Sequence, residues 1–131
     1  DVCGGYAHHY LPTFKQPEVR MMLVSYAAME AVHQEAYSLL LETLGKSDDM
    51  YQEFFDINAM MEKHEYLQDF SMNTPIDMAK TMAVYSAFTE GVQLFSSFAI
   101  LLNYPRHNLM KGMGQIVTWS IRDESLHGEG L

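Results

Sequence analysis

The chain has 131 residues, 48% of them hydrophobic, so it forms one domain at most and can bury an apolar core. Its 17 acidic and 8 basic residues give a net charge of −9, which argues against binding nucleic acid through a basic surface. A single cysteine rules out an intramolecular disulfide, and no apolar run approaches the roughly 20 residues that a membrane span requires. We therefore expect a protein of the reducing cytoplasm, with neither nucleic acid nor membrane as a partner.

The first predicted helix begins at Pro17 and runs to about Leu44. Proline suits the first helical position because its ring fixes a helical φ and its missing N–H is not needed there. Gly45 follows, and glycine is the usual residue just past a helix end. The preceding residues 1–16 contain two adjacent glycines and a proline, so we predict an entry loop there, with the end of a helix before it as an option.

Three more helical segments follow in the predicted order. Residues 50–70 carry a broken apolar stripe that favours one or two shorter helices. Thr74 is a good helix cap, and Pro75 then begins a long helix that reaches about Leu102. The last helix starts near Asn108 and continues towards the C-terminus. No segment shows the period-two alternation of a strand, so the prediction is an all-α bundle without a sheet.

Two Glu-x-x-His motifs, Glu30-Ala-Val-His33 and Glu124-Ser-Leu-His127, lie on different predicted helices. At about 100° per residue, a spacing of three puts a carboxylate and an imidazole on one helix face, one turn apart. Both groups can then reach one metal ion, and carboxylates suit iron or manganese. One such motif arises easily by chance as a solvated surface pair. Two motifs on separate long helices with apolar neighbours indicate a metal site.

Glu90 is the only acidic residue between Asp77 and Asp123, and its neighbours on the same helix face are mainly apolar. A buried carboxylate is costly or becomes protonated unless a partner compensates its charge, and a metal ion is the simplest partner. In carboxylate-bridged di-metal bundles, two helices each supply a Glu-x-x-His pair and the other two each supply a glutamate. The predicted ligands, which we expect to converge on one di-metal site, are therefore Glu30, His33, Glu90, Glu124 and His127. The alternative is a metal-free bundle whose core polar groups satisfy one another.

Two further side chains lie close to the predicted ligands. Tyr37 follows His33 by four positions and so lies over the same helix face, either beside the metals or simply as a core tyrosine. Asp123 points about 100° away from Glu124. It is predicted either to hold the free ring N–H of a ligand histidine or to pair with Arg122.

Several of these motifs together carry a family resemblance. They are Glu30-Ala-Val-His33 with Tyr37, then Glu90-Gly91 on an apolar helix, and then Ile121-Arg122-Asp123-Glu124-Ser125-Leu126-His127. The set resembles the small, radical-generating subunit of class I ribonucleotide reductases, and the resemblance spans essentially the whole chain. It implies a ferritin-like helical bundle.

The resemblance also implies an activity and a set of partners. A di-metal centre would activate oxygen and oxidise Tyr37 to a stable radical, with Asp123 on the electron-transfer route beside His33 and with Leu94 and Phe98 as apolar lining. A large catalytic subunit would use the radical to reduce ribonucleotides to deoxyribonucleotides for DNA replication. The implied cofactor is two iron ions, with manganese or a mixed pair as alternatives. The full-length small subunit would form a homodimer.

The chain departs from the family pattern at one ligand. The pattern places a further carboxylate two positions before Asp1, and Asp1 itself is only a weak candidate. We therefore expect a single helical domain that is the central part of a longer subunit and is inactive alone. The alternatives are another ferritin-like di-iron oxidase or hydroxylase and a non-enzymatic iron-binding bundle. Tyr37 and the Asp123-Glu124 pair favour the reductase.

Overall fold

The computed structural model describes residues 2–131, which are helical almost throughout. No strand occurs in that range, which confirms the predicted all-α class. None of its helices is both long and apolar enough to cross a membrane. Asp1, the weak ligand candidate, lies outside the described residues. In chain order the elements are α1 (Val2–Gly5), π1 (Tyr6–Tyr10), α2 (Leu11–Thr13), α3 (Pro17–Thr43), α4 (Asp49–Glu53), α5 (Asn58–Gln68), α6 (Pro75–Ala83), π2 (Val84–Gln93), α7 (Leu94–Leu101), α8 (Asn103–Arg106) and α9 (Lys111–Gly130).

The protein divides into two compact units, one ending at Met72 and the other comprising Asn73–Leu131. In the first unit, α1, π1 and α2 pack against the long helix α3. In the second, α6, π2 and α7 form one continuous helix, and α9 packs along its π2 and α7 segments. That the protein is a single domain, taken from the centre of a longer subunit, stays a prediction.

Helix α3 has the predicted bounds. It begins at Pro17 and is followed closely by Gly45, whose φ of 68° lies in the left-handed region that side chains disfavour. Its buried residues are Leu23, Tyr26 and Glu30, which recur every three or four positions and therefore form one stripe. A glutamate thus occupies the face that the rest of the unit covers.

The predicted N-terminal loop is wrong, because the chain is helical from Val2 to Thr13. Gly5 adopts right-handed helical angles, so glycine does not break the helix here. Tyr6 and Tyr10 are both fully buried, and π1 packs on α3. Burying two aromatic rings outweighs the low helix propensity of glycine, which costs only about 1 kcal/mol relative to alanine.

The long helix that opens the second unit begins as predicted. Thr74 and Asp77 form a reciprocal cap: the Thr74 hydroxyl accepts from the Asp77 N–H at 3.1 Å, and the Asp77 carboxylate accepts from the Thr74 N–H at 3.2 Å. The helix ends at Leu101, also as predicted. Its middle, π2, has the wider π-helical hydrogen-bond pattern, which the sequence did not indicate. Such segments are frequent at functional sites.

Helix α9 begins three residues later than predicted, after a short helix, α8, that was not foreseen. Asn108 and Met110 have positive φ values of 64° and 46°, which a continuing right-handed helix excludes. Gly114 then brings α9 against α8, because a methyl group at this position would overlap the ring of Pro105. The close approach of these two helices therefore requires glycine.

Replacing Gly114 by alanine should lower the free energy of unfolding by about 1–3 kcal/mol, the usual cost of overpacking a tight contact. Urea denaturation measures this quantity. Gly112→Ala is the matched control on the same helix, because no atom lies within 4 Å of a Cβ placed there. The control should leave stability unchanged or raise it by up to about 1 kcal/mol. Equal losses for both variants would contradict the close packing of α9 on Pro105.

Candidate metal centre

Two carboxylates and one imidazole meet in the interior of the second unit. Glu90 comes from π2, while Glu124 and His127 come from α9. Glu90 and His127 are 0% exposed and Glu124 is 3% exposed. On α9 the pair continues a buried stripe that includes Val117 and Ser120, again at spacings of three and four. Apolar packing of α9 therefore carries both side chains inside.

The spacing of these three side chains fits a shared cation. The His127 Nδ1 lies 3.5 Å from a Glu124 oxygen and 3.9 Å from a Glu90 oxygen. One ligand atom from each residue lies within 4.8 Å of the others. Oxygen and nitrogen ligands bind a transition metal at about 2.0–2.2 Å, which leaves them roughly 3–4 Å from one another. Because carboxylate and imidazole donors suit iron and manganese, the residues fit such an ion in both chemistry and spacing.

The first unit holds the other Glu-x-x-His motif on α3. Glu30 is buried at 7% exposure and His33 is half-buried. The His33 Nδ1 lies 3.4 Å from a Glu30 oxygen, almost the same separation as in the second motif. Helical spacing alone produces this geometry, because residues three apart are neighbours on the helix surface. Each motif therefore offers a carboxylate and an imidazole that point to one place.

The structure thus groups the predicted ligands within each unit. Glu30 lies with His33 in the first unit, and Glu90, Glu124 and His127 lie together in the second. That all five bind one pair of ions stays a prediction.

The other predicted site residues are placed as follows. Tyr37 is half-buried on α3, one turn beyond the histidine of the first motif. Asp123 is half-buried, and its carboxylate lies 3.6 Å from the Arg122 Nε, the ion pair that the sequence offered as one of two roles. Phe98 is buried and Leu94 is half-buried on α7. These positions leave the roles of Tyr37 and Asp123 in electron transfer as predictions.

Tyr85 is a neighbour of the site that sequence spacing does not predict. It is buried, and burial together with the negative charge on Glu90 raises its pKa to about 12. The phenol is therefore protonated at neutral pH. In an α-helix, residues five apart point about 140° away from each other, so α-helical spacing does not predict that Tyr85 and Glu90 lie on one side. In a π-helix, hydrogen bonds join residues five apart, which brings Tyr85 and Glu90 to one side of π2.

Ser86, also on π2, joins the two helices that carry the ligands. Its hydroxyl donates to the carbonyl of Gly128 at 3.1 Å, one residue beyond His127. Sequence spacing gave no signal for this bond, because its partners are 42 positions apart.

Known protein families include one that matches nearly the whole chain. Residues 3–131 match the family described as ribonucleotide reductase, small chain. The chain belongs to the ribonucleotide reductase small-chain family. This confirms both the resemblance and the predicted ferritin-like fold, and the buried glutamate-histidine group suits the di-metal site of that family.

Individual relatives agree with this result. The sequence is 47% identical, over its whole length, to a probable ribonucleoside-diphosphate reductase small subunit of Invertebrate iridescent virus 6. It is 48% identical to the corresponding protein of Invertebrate iridescent virus 3, and 30% identical, over 92% of its length, to a ribonucleoside-diphosphate reductase small chain of Arabidopsis thaliana. It spans 40%, 39% and 36% of the lengths of these proteins. No solved structure matches it.

Glu124→Ala in the full-length protein should reduce bound iron by more than about tenfold at limiting ferrous iron, since even outer partners of metal ligands contribute 10- to 100-fold in affinity. Elemental analysis after desalting measures bound metal, and circular dichroism checks that helix content is retained. Glu129→Ala is the control, because Glu129 is exposed on the same helix. Unchanged iron content in the Glu124 variant would contradict the ligand assignment.

Proposed function

We propose that the full-length protein is the radical-generating small subunit of a class I ribonucleoside-diphosphate reductase, an oxidoreductase. The observation that carries this proposal is the buried Glu90, Glu124 and His127 group in a member of the small-chain family. A second Glu-x-x-His pair with the same internal spacing, Glu30 and His33, supports it. The described segment alone is proposed to be inactive.

In this proposal, two iron ions are bound by Glu30, His33, Glu90, Glu124 and His127, and manganese or a mixed pair is the alternative. When bound, such a centre supplies oxygen activation and one-electron oxidation. The three glutamates contribute negative charge that offsets the charge of the cations, which a buried site requires. The two imidazoles add neutral nitrogen ligands.

Burial of the site residues serves the radical as well as the metals. Glu90 and His127 have no exposed surface, and Phe98 on the neighbouring α7 is buried. A site that excludes water strengthens electrostatic interactions and keeps reductants away from reactive species. Tyr37, one turn beyond His33, is proposed to lose one electron and its phenolic proton and to persist as a neutral radical. Its half-buried position limits its contact with solvent.

Asp123 is proposed to lie on the route by which the radical leaves the centre. A carboxylate that accepts the free ring N–H of a ligand histidine fixes that ring and raises its basicity. The Asp123 carboxylate lies 3.6 Å from the Arg122 Nε. Asp123 thus has both a charged neighbour on its own helix and a place next to a proposed ligand, Glu124.

The proposed partners follow from family membership. The radical would be delivered to a large catalytic subunit, which reduces ribonucleotides to deoxyribonucleotides, and the full-length small subunit would form a homodimer in the cytoplasm. The viral relatives are named small subunits, which fits a two-subunit enzyme.

Tyr37→Phe in the full-length protein should keep the bound metal and lose the radical signal of Tyr37, because the change removes only the oxidisable hydroxyl. Ribonucleotide reduction with the large subunit should fall to background. Paired metal analysis and electron paramagnetic resonance after exposure to oxygen test this. The control is Tyr66→Phe, since Tyr66 is an exposed tyrosine on α5.

Two results would contradict the role of Tyr37. A radical signal of undiminished size and unchanged spectrum in the Tyr37 variant would move the role to another tyrosine, such as Tyr26 or Tyr85. Loss of metal together with the radical would make Tyr37 a structural residue.

A further inference from the structure

Three tyrosine rings form a buried row in the first unit, which we call the tyrosine row. Tyr26 lies on α3 and is 5% exposed, while Tyr6 and Tyr10 lie on π1 and are 0% exposed. The Tyr26 and Tyr6 ring centroids are 5.8 Å apart at an interplanar angle of 68°. The Tyr6 and Tyr10 centroids are 6.2 Å apart at 47°. Each ring therefore touches the next, and adjacent aromatic rings at such separations exchange electrons readily.

One end of the row lies beside a proposed metal ligand. Tyr26 precedes Glu30 by four residues on α3, and both side chains belong to the buried stripe of that helix. Residues four apart occupy one face, one turn from each other. At the other end, the Tyr10 ring lies 6.5 Å from Phe14, which has no oxidisable hydroxyl. The row thus runs from the metal-ligand face of α3 to an end at which electron transfer stops.

The three members of the row are tyrosines, although phenylalanine would also fill the space. Phenylalanine fills nearly the same volume and brings no hydroxyl that needs a hydrogen-bond partner in the interior. Tyrosine differs from it chiefly in that hydroxyl, which allows the ring to lose one electron and one proton together. A continuous set of buried phenols is therefore suited to hold an oxidising equivalent out of contact with water.

We propose that the tyrosine row is a secondary site of one-electron oxidation, which takes the oxidising equivalent when Tyr37 does not. This inference rests on the proposed function, because the oxidant is the di-metal centre after its reaction with oxygen. Tyr26 gives one electron to that centre, which is reduced by one electron, and releases its phenolic proton to solvent. Tyr6 then gives one electron and its phenolic proton to the Tyr26 radical, which restores Tyr26 and leaves Tyr6 as the neutral radical. The same exchange moves the radical to Tyr10, the end of the row.

The first test supplies the oxidant from outside, so that it does not depend on metal. Metal-free, full-length protein with Tyr37→Phe is photo-oxidised with ruthenium tris-bipyridine and persulfate and then frozen after a delay. Electron paramagnetic resonance counts the tyrosyl radicals that survive. A buried ring is shielded from coupling with other radicals, so the surviving signal should come from the row and from Tyr85, which is also buried and is kept in every variant. Combining Tyr6→Phe, Tyr10→Phe and Tyr26→Phe should lower that signal severalfold.

The matched control removes three exposed tyrosines in the same background. These are Tyr51, Tyr66 and Tyr104. The control should retain the long-lived signal, although it has lost the same number of phenols. Equal signals in the two triple variants would overturn the proposal.

The second test uses ferrous iron and oxygen with the same Tyr37→Phe protein. A smaller tyrosyl radical signal, with a spectrum different from that of Tyr37, should form, and Tyr26→Phe should remove it because Tyr26 is the first member of the row. If no iron binds, the proposed function fails, but the photo-oxidation test still shows whether the tyrosine row can hold a radical. If iron binds and oxygen is consumed but the signal survives both in Tyr26→Phe and in the buried triple variant, the row is overturned and the proposed function stands.

A folding control covers the case in which the buried triple variant does not fold. If circular dichroism shows that the buried triple variant has lost helix content, the single change Tyr6→Phe replaces it. This change deletes one hydroxyl from the middle of the row. After photo-oxidation, radical on Tyr10 should then fall severalfold, as judged by the loss of the signal component that Tyr10→Phe removes. An undiminished Tyr10 component would overturn the row.

Discussion

Negative charge held inside a helical interior is the constraint on which the rest of this structure depends. Glu30, Glu90 and Glu124 are all buried, on helices whose other buried positions are largely apolar. Moving a carboxylate out of water costs free energy, and like charges nearby raise that cost. A bound cation offsets both effects, so metal binding and stability are coupled in such a site. The apolar packing that carries these side chains inside therefore also creates the demand for the metal.

The proposed ligands are positioned in two ways, by spacing along one helix and by packing between helices. In each Glu-x-x-His motif the spacing is set locally, which is why the carboxylate-to-imidazole separations, 3.4 Å and 3.5 Å, are nearly equal on two unrelated helices. Glu90 depends on its surroundings instead. It reaches His127 only because α9 packs along π2 and α7, with Ser86 bonded to Gly128 beside the contact. Local spacing thus places each glutamate beside its histidine, and helix packing brings Glu90 to Glu124 and His127.

Features set by neighbouring residues could be predicted from the sequence, and features set by packing between distant residues could not. The bounds of α3 and the capped start at Thr74 were predictable, because proline, glycine and capping residues act through their immediate neighbours. The two motifs were predictable for the same reason. The helical N-terminus was not, since the burial of Tyr6 and Tyr10 against α3 overrode the glycines. The tyrosine row, the contact of Gly114 with Pro105 and the π2 segment also arise from packing between distant residues, which no short pattern reveals.

The π2 segment has a geometric consequence for Glu90. A π-helix turns by fewer degrees per residue than an α-helix, so side chains five positions apart lie on one side of it. The segment is ten residues long and is continuous with α6 before it and with α7 after it, and Glu90 lies near its end. The direction of this carboxylate therefore depends on the wider winding of the residues before it, and a return of π2 to α-helical winding would change the side of the helix that Glu90 occupies.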